Sequence, residues 1–355
     1  MRSNITFFVF FCLFCFLATP RKAQAQDPRF SQFYAAPAEL NPAMIGVYEG
    51  KFRVVANYRE LYSSILTNHP FRTIAASFDM RQRVQQQDYF GFGFSVLRDE
   101  VGISQFHRTK ANLGASFMKQ LGGSRYAMYD QYLVAGAQLG FGQHGLNWQK
   151  LWFSEQFNTD EGFIDTSTPS GENFDKQTTG LYLDFNAGLL WYILFDDHLS
   201  LYAGGALHHL NSPNVSFLEG SEDNLSTRWT AHAGGEIPFT RELSFLPAVA
   251  VMGQNTYFST TAGGNFRYTN REWKEVAIRA GVWAHLSNQL ESGVTMDAIV
   301  ATAILEMERW NFGISYDITT SLLASANNSR GAFELSFIYT HPAQWRSSVK
   351  CPNFY

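Results

Sequence analysis

Cysteine, charge and long apolar runs are all scarce in this chain of 355 residues. It has three cysteines, too few for a disulfide framework. Charged residues make up 16% and the formal net charge is −4, against 45% hydrophobic residues; a disordered polyelectrolyte is excluded. A pI near 6.1 argues against a strongly basic nucleic-acid binder. Beyond the first residues no apolar run approaches the ~18 residues of a membrane-spanning helix. What the chain has in quantity is Phe (32), Tyr (16) and Gly (28), a composition that leans towards β-structure.

The N-terminus reads as an address. Arg2 supplies a positive start, Ile5 to Ala18 form an apolar run too short to span a bilayer, and Ala23-Gln24-Ala25 is a small-residue cleavage pattern. Together they predict a secretory signal peptide over residues 1–25, cut near Ala25. Removal takes Cys12 and Cys15 with it. Cys351 is then the last cysteine, and no intramolecular disulfide can form.

The rest of the chain alternates with period two. Phe52, Val54, Ala56 and Tyr58 alternate with Arg53, Asn57 and Arg59, and Phe312, Ile314, Tyr316 and Ile318 with Ser315 and Asp317. Fourteen strands are predicted, near 51–60, 70–81, 88–99, 105–118, 129–141, 180–195, 199–210, 226–237, 243–253, 256–269, 274–286, 296–308, 310–320 and 330–340. These are longer than the ~5–6 residues usual in soluble sheets. The apolar face is aromatic near strand ends, and the other face is small, polar or charged, as a hydrated lumen requires. The expected fold is therefore all-β: a transmembrane antiparallel β-barrel of about 14 strands in the outer membrane, spanning 51–340. A closed barrel also satisfies every backbone group in lipid.

Barrels of this type pair short periplasmic turns with longer outer loops. That asymmetry places 143–179 and 211–225 outside. Residues 26–50 become a periplasmic N-terminal arm, and 341–355 a C-terminal tail on the same side. Trp148, Trp152, Phe153, Phe157 and Phe163 give the first loop material to pack into or over the barrel. Lys51, Arg53, Arg59, Asp184, Arg279, Asp317 and Glu334 fall on the lumen face, and a filled lumen is favoured, with the aromatic loop as plug.

Little of the sequence reads as chemistry. Gly140-Phe141-Gly142-Gln143-His144-Gly145 matches a dinucleotide fingerprint, but no helix follows it, so it reads as a strand end. His208 and His209 are adjacent and on a strand point to opposite faces, which rules out a shared metal in that geometry. Asp196-Asp197 reads as a turn. His285 and Ser287 share a face but lack a readable third partner. No cofactor and no enzymatic activity are expected.

Three stretches carry identity. Gln26-Asp27-Pro28-Arg29-Phe30-Ser31-Gln32-Phe33-Tyr34 and Leu40-Asn41-Pro42-Ala43 follow the leader. His208-His209-Leu210-Asn211-Ser212-Pro213-Asn214-Val215-Ser216-Phe217 lies mid-chain. Ser315-Tyr316-Asp317, Asn327-Asn328-Ser329-Arg330-Gly331-Ala332-Phe333-Glu334-Leu335-Ser336 and Cys351-Pro352-Asn353-Phe354 close the chain. In this order they resemble the PorP/SprF family of Bacteroidetes type IX secretion outer-membrane proteins, from Gln26 to the C-terminus. Ser212 departs from the family's frequent Gln.

The resemblance implies a non-enzymatic accessory barrel that supports secretion or surface attachment of specific cargo, such as type B sorting-domain proteins or gliding-motility adhesins. Its implied partners are the cargo, other periplasmic or outer-membrane secretion components, and membrane lipid, without nucleic acid. Candidate partner-binding residues are Phe30, Ser31, Gln32, Phe33, Tyr34, Asn41 and Pro42 in the arm. Mid-chain they are His209, Asn211, Pro213 and Asn214. The aromatic loop adds Trp148 and Trp152, and the tail adds Cys351, Pro352 and Phe354. The alternative is a small-solute channel.

Overall fold

The computed structural model describes residues 26–355 apart from 67–68, 86, 124–128, 160–161, 172–176, 196–198, 219, 271, 273–275, 289–292, 343–350, 353 and 355. The expected signal peptide and the Asp196-Asp197 turn lie outside the described residues. Fourteen strands close into an antiparallel barrel: β1 (Phe52–Leu61), β2 (Phe71–Arg83), β3 (Tyr89–Val101), β4 (Phe106–Gly122), β5 (Tyr129–Gly145), β6 (Tyr182–Phe195), β7 (Ser200–His208), β8 (Arg228–Pro238), β9 (Leu243–Gln254), β10 (Tyr257–Thr269), β11 (Val276–Asn288), β12 (Val294–Met307), β13 (Trp310–Thr319) and β14 (Arg330–His341). The seam joins β1 to β14, from Phe52 opposite His341 to Leu61 opposite Ala332. Among the described residues no helix is long and apolar enough to cross a membrane.

Alternation works as the sequence predicts. On β13, Phe312, Ile314, Tyr316 and Ile318 point outward and exposed, while Ser315, Asp317 and Thr319 are buried towards the lumen. On β1, Arg53, Asn57 and Arg59 are buried inward. Of the seven charges expected on the lumen face, six are buried; Lys51 is exposed. Aromatic contacts ring the end where β1 begins: Phe52 stacks on His341, Trp310 on Tyr339, and Phe245 on Phe266. Such a girdle suits a membrane interface.

The connectors are unequal. At the end where β1 begins they are short turns. The opposite end carries the two longest, between β5 and β6 and between β7 and β8. β5 runs to Gly145, with Thr179 donating its N–H to the His144 carbonyl, so the first loop proper is shorter than 143–179. The second spans 209–227 rather than 211–225.

The largest departure concerns residues 26–50. They do not hang outside as a periplasmic arm. They enter the barrel at the short-turn end and climb the lumen until Asp27 reaches the long-loop end. Ser31, Gln32, Asn41, Ala43 and Val47 have 0% exposure. The physical reason is mutual need: the lumen wall carries buried charges, and the segment carries unpaired backbone groups. Each satisfies the other.

Candidate functional site

The segment folds irregularly because its sequence is punctuated. Pro37 begins one helical turn, Pro37–Leu40. Asn41 caps the next, its Oδ1 accepting the Ala43 N–H at 2.8 Å, with Pro42 at the first position. Gly46, at φ +76°, turns the chain towards the short-turn end.

The wall holds this segment by its main chain as well as by its side chains. The Ser31 and Gln32 N–H groups donate to the two oxygens of Glu334, at 2.7 and 2.9 Å. Gly46 N–H donates to Asp79 at 2.7 Å. In return Arg59 donates to the Arg29 carbonyl, Gln138 to that of Ala38, Thr230 to that of Leu40, Arg53 to that of Met44 and Ser116 to that of Ile45. Two of these donors are themselves ion-paired. Arg53 makes two parallel bonds to Asp79, at 2.9 and 2.7 Å, and Arg59 bonds Asp317 at 2.9 Å. Ser31 Oγ donates to the same Asp317 oxygen and lies 3.3 Å from His285 Nε2. His285 is thus a neighbour of the segment, and its other ring nitrogen meets Thr261 at 2.7 Å.

Close approach is provided by wall glycines. A Cβ on Gly136 would collide with the Pro42 main chain, and one on Gly188 with the Asn41 side chain. Asn41 uses that space to donate to the Leu189 carbonyl at 3.0 Å. Phe33 meets the buried Trp283 edge-on and Tyr34 packs on it at a tilt, and Leu40, Met44 and Val47 join the same apolar cluster. Phe30 packs with Leu97, Ala75 and Ala36.

At the long-loop end Asp27 is surrounded by cations: Arg228 at 3.1 Å, and Arg108 and Lys110 at 3.4 Å. His209 Nε2 lies 2.6 Å from Asp27, and its Nδ1 2.9 Å from Asp184. Burial would raise the Asp27 pKa, but Lys110, His209 and Arg228 overcome it and hold the carboxyl well below its usual range. The adjacent-histidine expectation is corrected here. His209 has φ +59°, which turns its ring inward beside that of His208. Among the described residues no group of three or more His, Cys, Asp or Glu side chains has the arrangement to hold a metal ion.

The C-terminal tail also turns inward. Arg81 donates to Cys351 Sγ at 3.1 Å, and Phe354 meets Tyr202 edge-on at 4.7 Å. Pro352 is buried between them in sequence. Burial pushes the Cys351 thiol up. Tail and Tyr48 border an open vestibule of about 1260 Å³ at the short-turn end, lined also by Glu49, Glu236, Arg241 and Arg267. At the other end a cavity of only about 50 Å³ remains beside Asp27 and Phe33.

The long aromatic loop is not the plug. Trp152 is 54% exposed and Phe163 47%. Trp148 packs on Phe217 of the second loop, 5.6 Å between ring centres. There Pro213 is buried, while Asn211 and Asn214 serve the chain itself. Asn211 bridges Leu183 and Phe185 of β6, and Asn214 accepts the Ser216 and Asp223 N–H groups. Sequence reasoning missed Asp79, Arg108, Lys110 and Arg228 as members of this site. It also left Asp27 without a role. The available signal was the glycines on the inward face.

Comparison with known proteins follows that geometry. The family described as type IX secretion system membrane protein PorP/SprF matches residues 22–339. No curated protein matches. Among solved structures, the Pseudomonas putida toluene transporter TodX is similar at 14% identity, covering 86% of this chain and 92% of its own, with a TM-score of 0.47. CdiB from Acinetobacter baumannii is similar at 6% identity and a TM-score of 0.44, covering 81% of this chain. The chain spans 60% of the length of that CdiB.

Proposed function

This chain belongs to the PorP/SprF family of type IX secretion system membrane proteins, and we propose that it serves there as a non-enzymatic accessory barrel of the outer membrane. Its task on this reading is to support secretion or surface attachment of specific cargo, such as proteins with a type B sorting domain or gliding adhesins. The family match over residues 22–339 carries the proposal.

Sidedness follows from the connectors: long loops outside, short turns in the periplasm. Cargo then meets the exposed Trp152, Phe157 and Phe163 of the first loop, since large exposed aromatics make good binding anchors. Periplasmic secretion components meet the short-turn end, where the vestibule opens. The buried aromatics of the N-terminal segment and tail face the barrel's own wall, so they are assigned to filling it rather than to docking. The test is a detergent pull-down of the tagged mature protein from outer membranes after crosslinking. Recovery of a secreted protein or of secretion components supports the role; recovery of the barrel alone argues against it.

A channel for small solutes is the second reading. The vestibule of about 1260 Å³ favours it. The filled long-loop half opposes it, and planar-bilayer conductance of the full-length mature protein decides.

A further inference from the structure

The lumen wall treats residues 26–47 as a ligand. Many of the bonds that hold it run from wall side chains to the segment's main chain: Glu334 to two successive N–H groups, Asp79 to a third, and Arg59, Gln138, Thr230, Arg53 and Ser116 to carbonyls. No strand of the barrel adds the segment to its ladder. The wall glycines admit a polypeptide backbone where any side chain on the wall would exclude it. Such a surface recognises a peptide as a peptide. Side chains are read as well: a carboxylate among Arg108, Lys110 and Arg228 at the leading end, Arg29 by Tyr257 and Asp297, a small polar pair at Ser31-Gln32, the rings of Phe33 and Tyr34 by Trp283, and a compact turn at Asn41–Ala43.

We propose that the lumen is a peptide-binding site filled in cis by a tethered, exchangeable ligand, and that a polypeptide segment of a partner can take its place. That segment has an irregular backbone, an acidic residue near its leading end, and small residues where it crosses Gly136 and Gly188. The wall it would enter is mixed: water can take over the bonds of Glu334, Asp79, Arg53 and Arg59 between occupants, and the apolar surface around Trp283 is covered again by the incoming segment. The inference rests on the proposed function only for the natural occupant, a segment of the cargo. Exchange of the chain's own segment needs no cargo, so its failure leaves the secretion role untouched.

The test uses the full-length mature protein in detergent and a fluorescent synthetic peptide with the sequence of residues 26–47. Saturable uptake is expected at one peptide per barrel, at the rate at which the Ser31, Gln32 and Gly46 amides open to hydrogen exchange. N-methylation of the peptide at the Gln32 and Gly46 amides is expected to weaken uptake at least tenfold. Replacing its Asp27 by Asn is expected to weaken it a few-fold. The proposal is overturned if no peptide enters while strand amides stay protected, or if the N-methylated peptide binds as well as the parent. Glu334→Gln in the full chain gives an independent reading: faster exchange of the three amides supports the proposal, and exchange only on global unfolding sinks it.

Discussion

Two aromatic stretches of this protein have traded places relative to what their composition suggests. Residues 26–50 read as a short exposed arm and lie buried along the lumen. The loop between β5 and β6 reads as material for a plug and holds Trp152, Phe157 and Phe163 to solvent. The difference lies in the surroundings that each can reach. The N-terminal segment meets a wall with inward glycines and buried ions, to which its backbone is complementary. The loop meets its neighbouring loops, through Trp148 on Phe217 and the Asn147 N–H on the Ser104 carbonyl. Aromatic content tells that a stretch will bury against something, and the opposing wall decides whether that something is the protein itself.

The comparison can be broken by substitution. The largest effect is expected from Arg53→Ala, which strands Asp79 without its partner and frees the Met44 carbonyl. Loss of a buried pair member costs about 3–5 kcal/mol, read as a fall in unfolding temperature of the detergent-solubilised barrel. Next is Gly136→Val, which fills the space used by Pro42. Overpacking costs about 1–3 kcal/mol, and limited proteolysis within residues 26–47 is expected to rise. If instead the segment stays protected, its fit to the wall is looser than the structure implies.

A smaller effect is expected from Asp27→Asn, which weakens charge-assisted bonds each worth about 1.5–3 kcal/mol. It also sharpens a pH statement. Because the folded carboxyl is held below its usual value near ~3.9, its contribution is fully present above that pH. It is lost only as the pH falls through the lower folded value. Exchange of the residue-27 amide, which donates to Gln254, is therefore expected, after correction for intrinsic rates, to rise only on the acid side in the parent. The variant is expected to lack the acid-side rise. The smallest effect is expected from Trp152→Ala, within about 0.5 kcal/mol of parent stability. Its consequence is reduced recovery of cargo in the pull-down. A destabilisation by Trp152→Ala that matched Arg53→Ala would erase the distinction between the two stretches.

How much of this was legible depends on periodicity. The barrel wall has a period of two, so the strand number and the inward placement of Arg53, Arg59, Asp184, Arg279, Asp317 and Glu334 could be read directly. The strand ends were less legible: β4 and β5 continue to Gly122 and Gly145, past the last clear apolar alternation. Residues 26–50 have no period, and without one a sequence does not say which surface a segment faces. His209 escaped for a local reason. One residue with positive φ turned a ring inward that strand geometry would have aimed outward. The inward glycines were visible as close packing, but not what pressed against them.

The position of Ser31 and Gln32 has a consequence for assembly. They are held by Glu334 on the last strand and lie beside Asp317 on β13, which is itself bound to Arg59 on the first strand. The segment therefore fastens the one strand pair, β1 with β14, that brings the two ends of the chain together. A chain that stops short of its final strand has neither the closing partner nor the carboxylate that secures its own beginning. Closure of the barrel and locking of the N-terminal segment are therefore a single event.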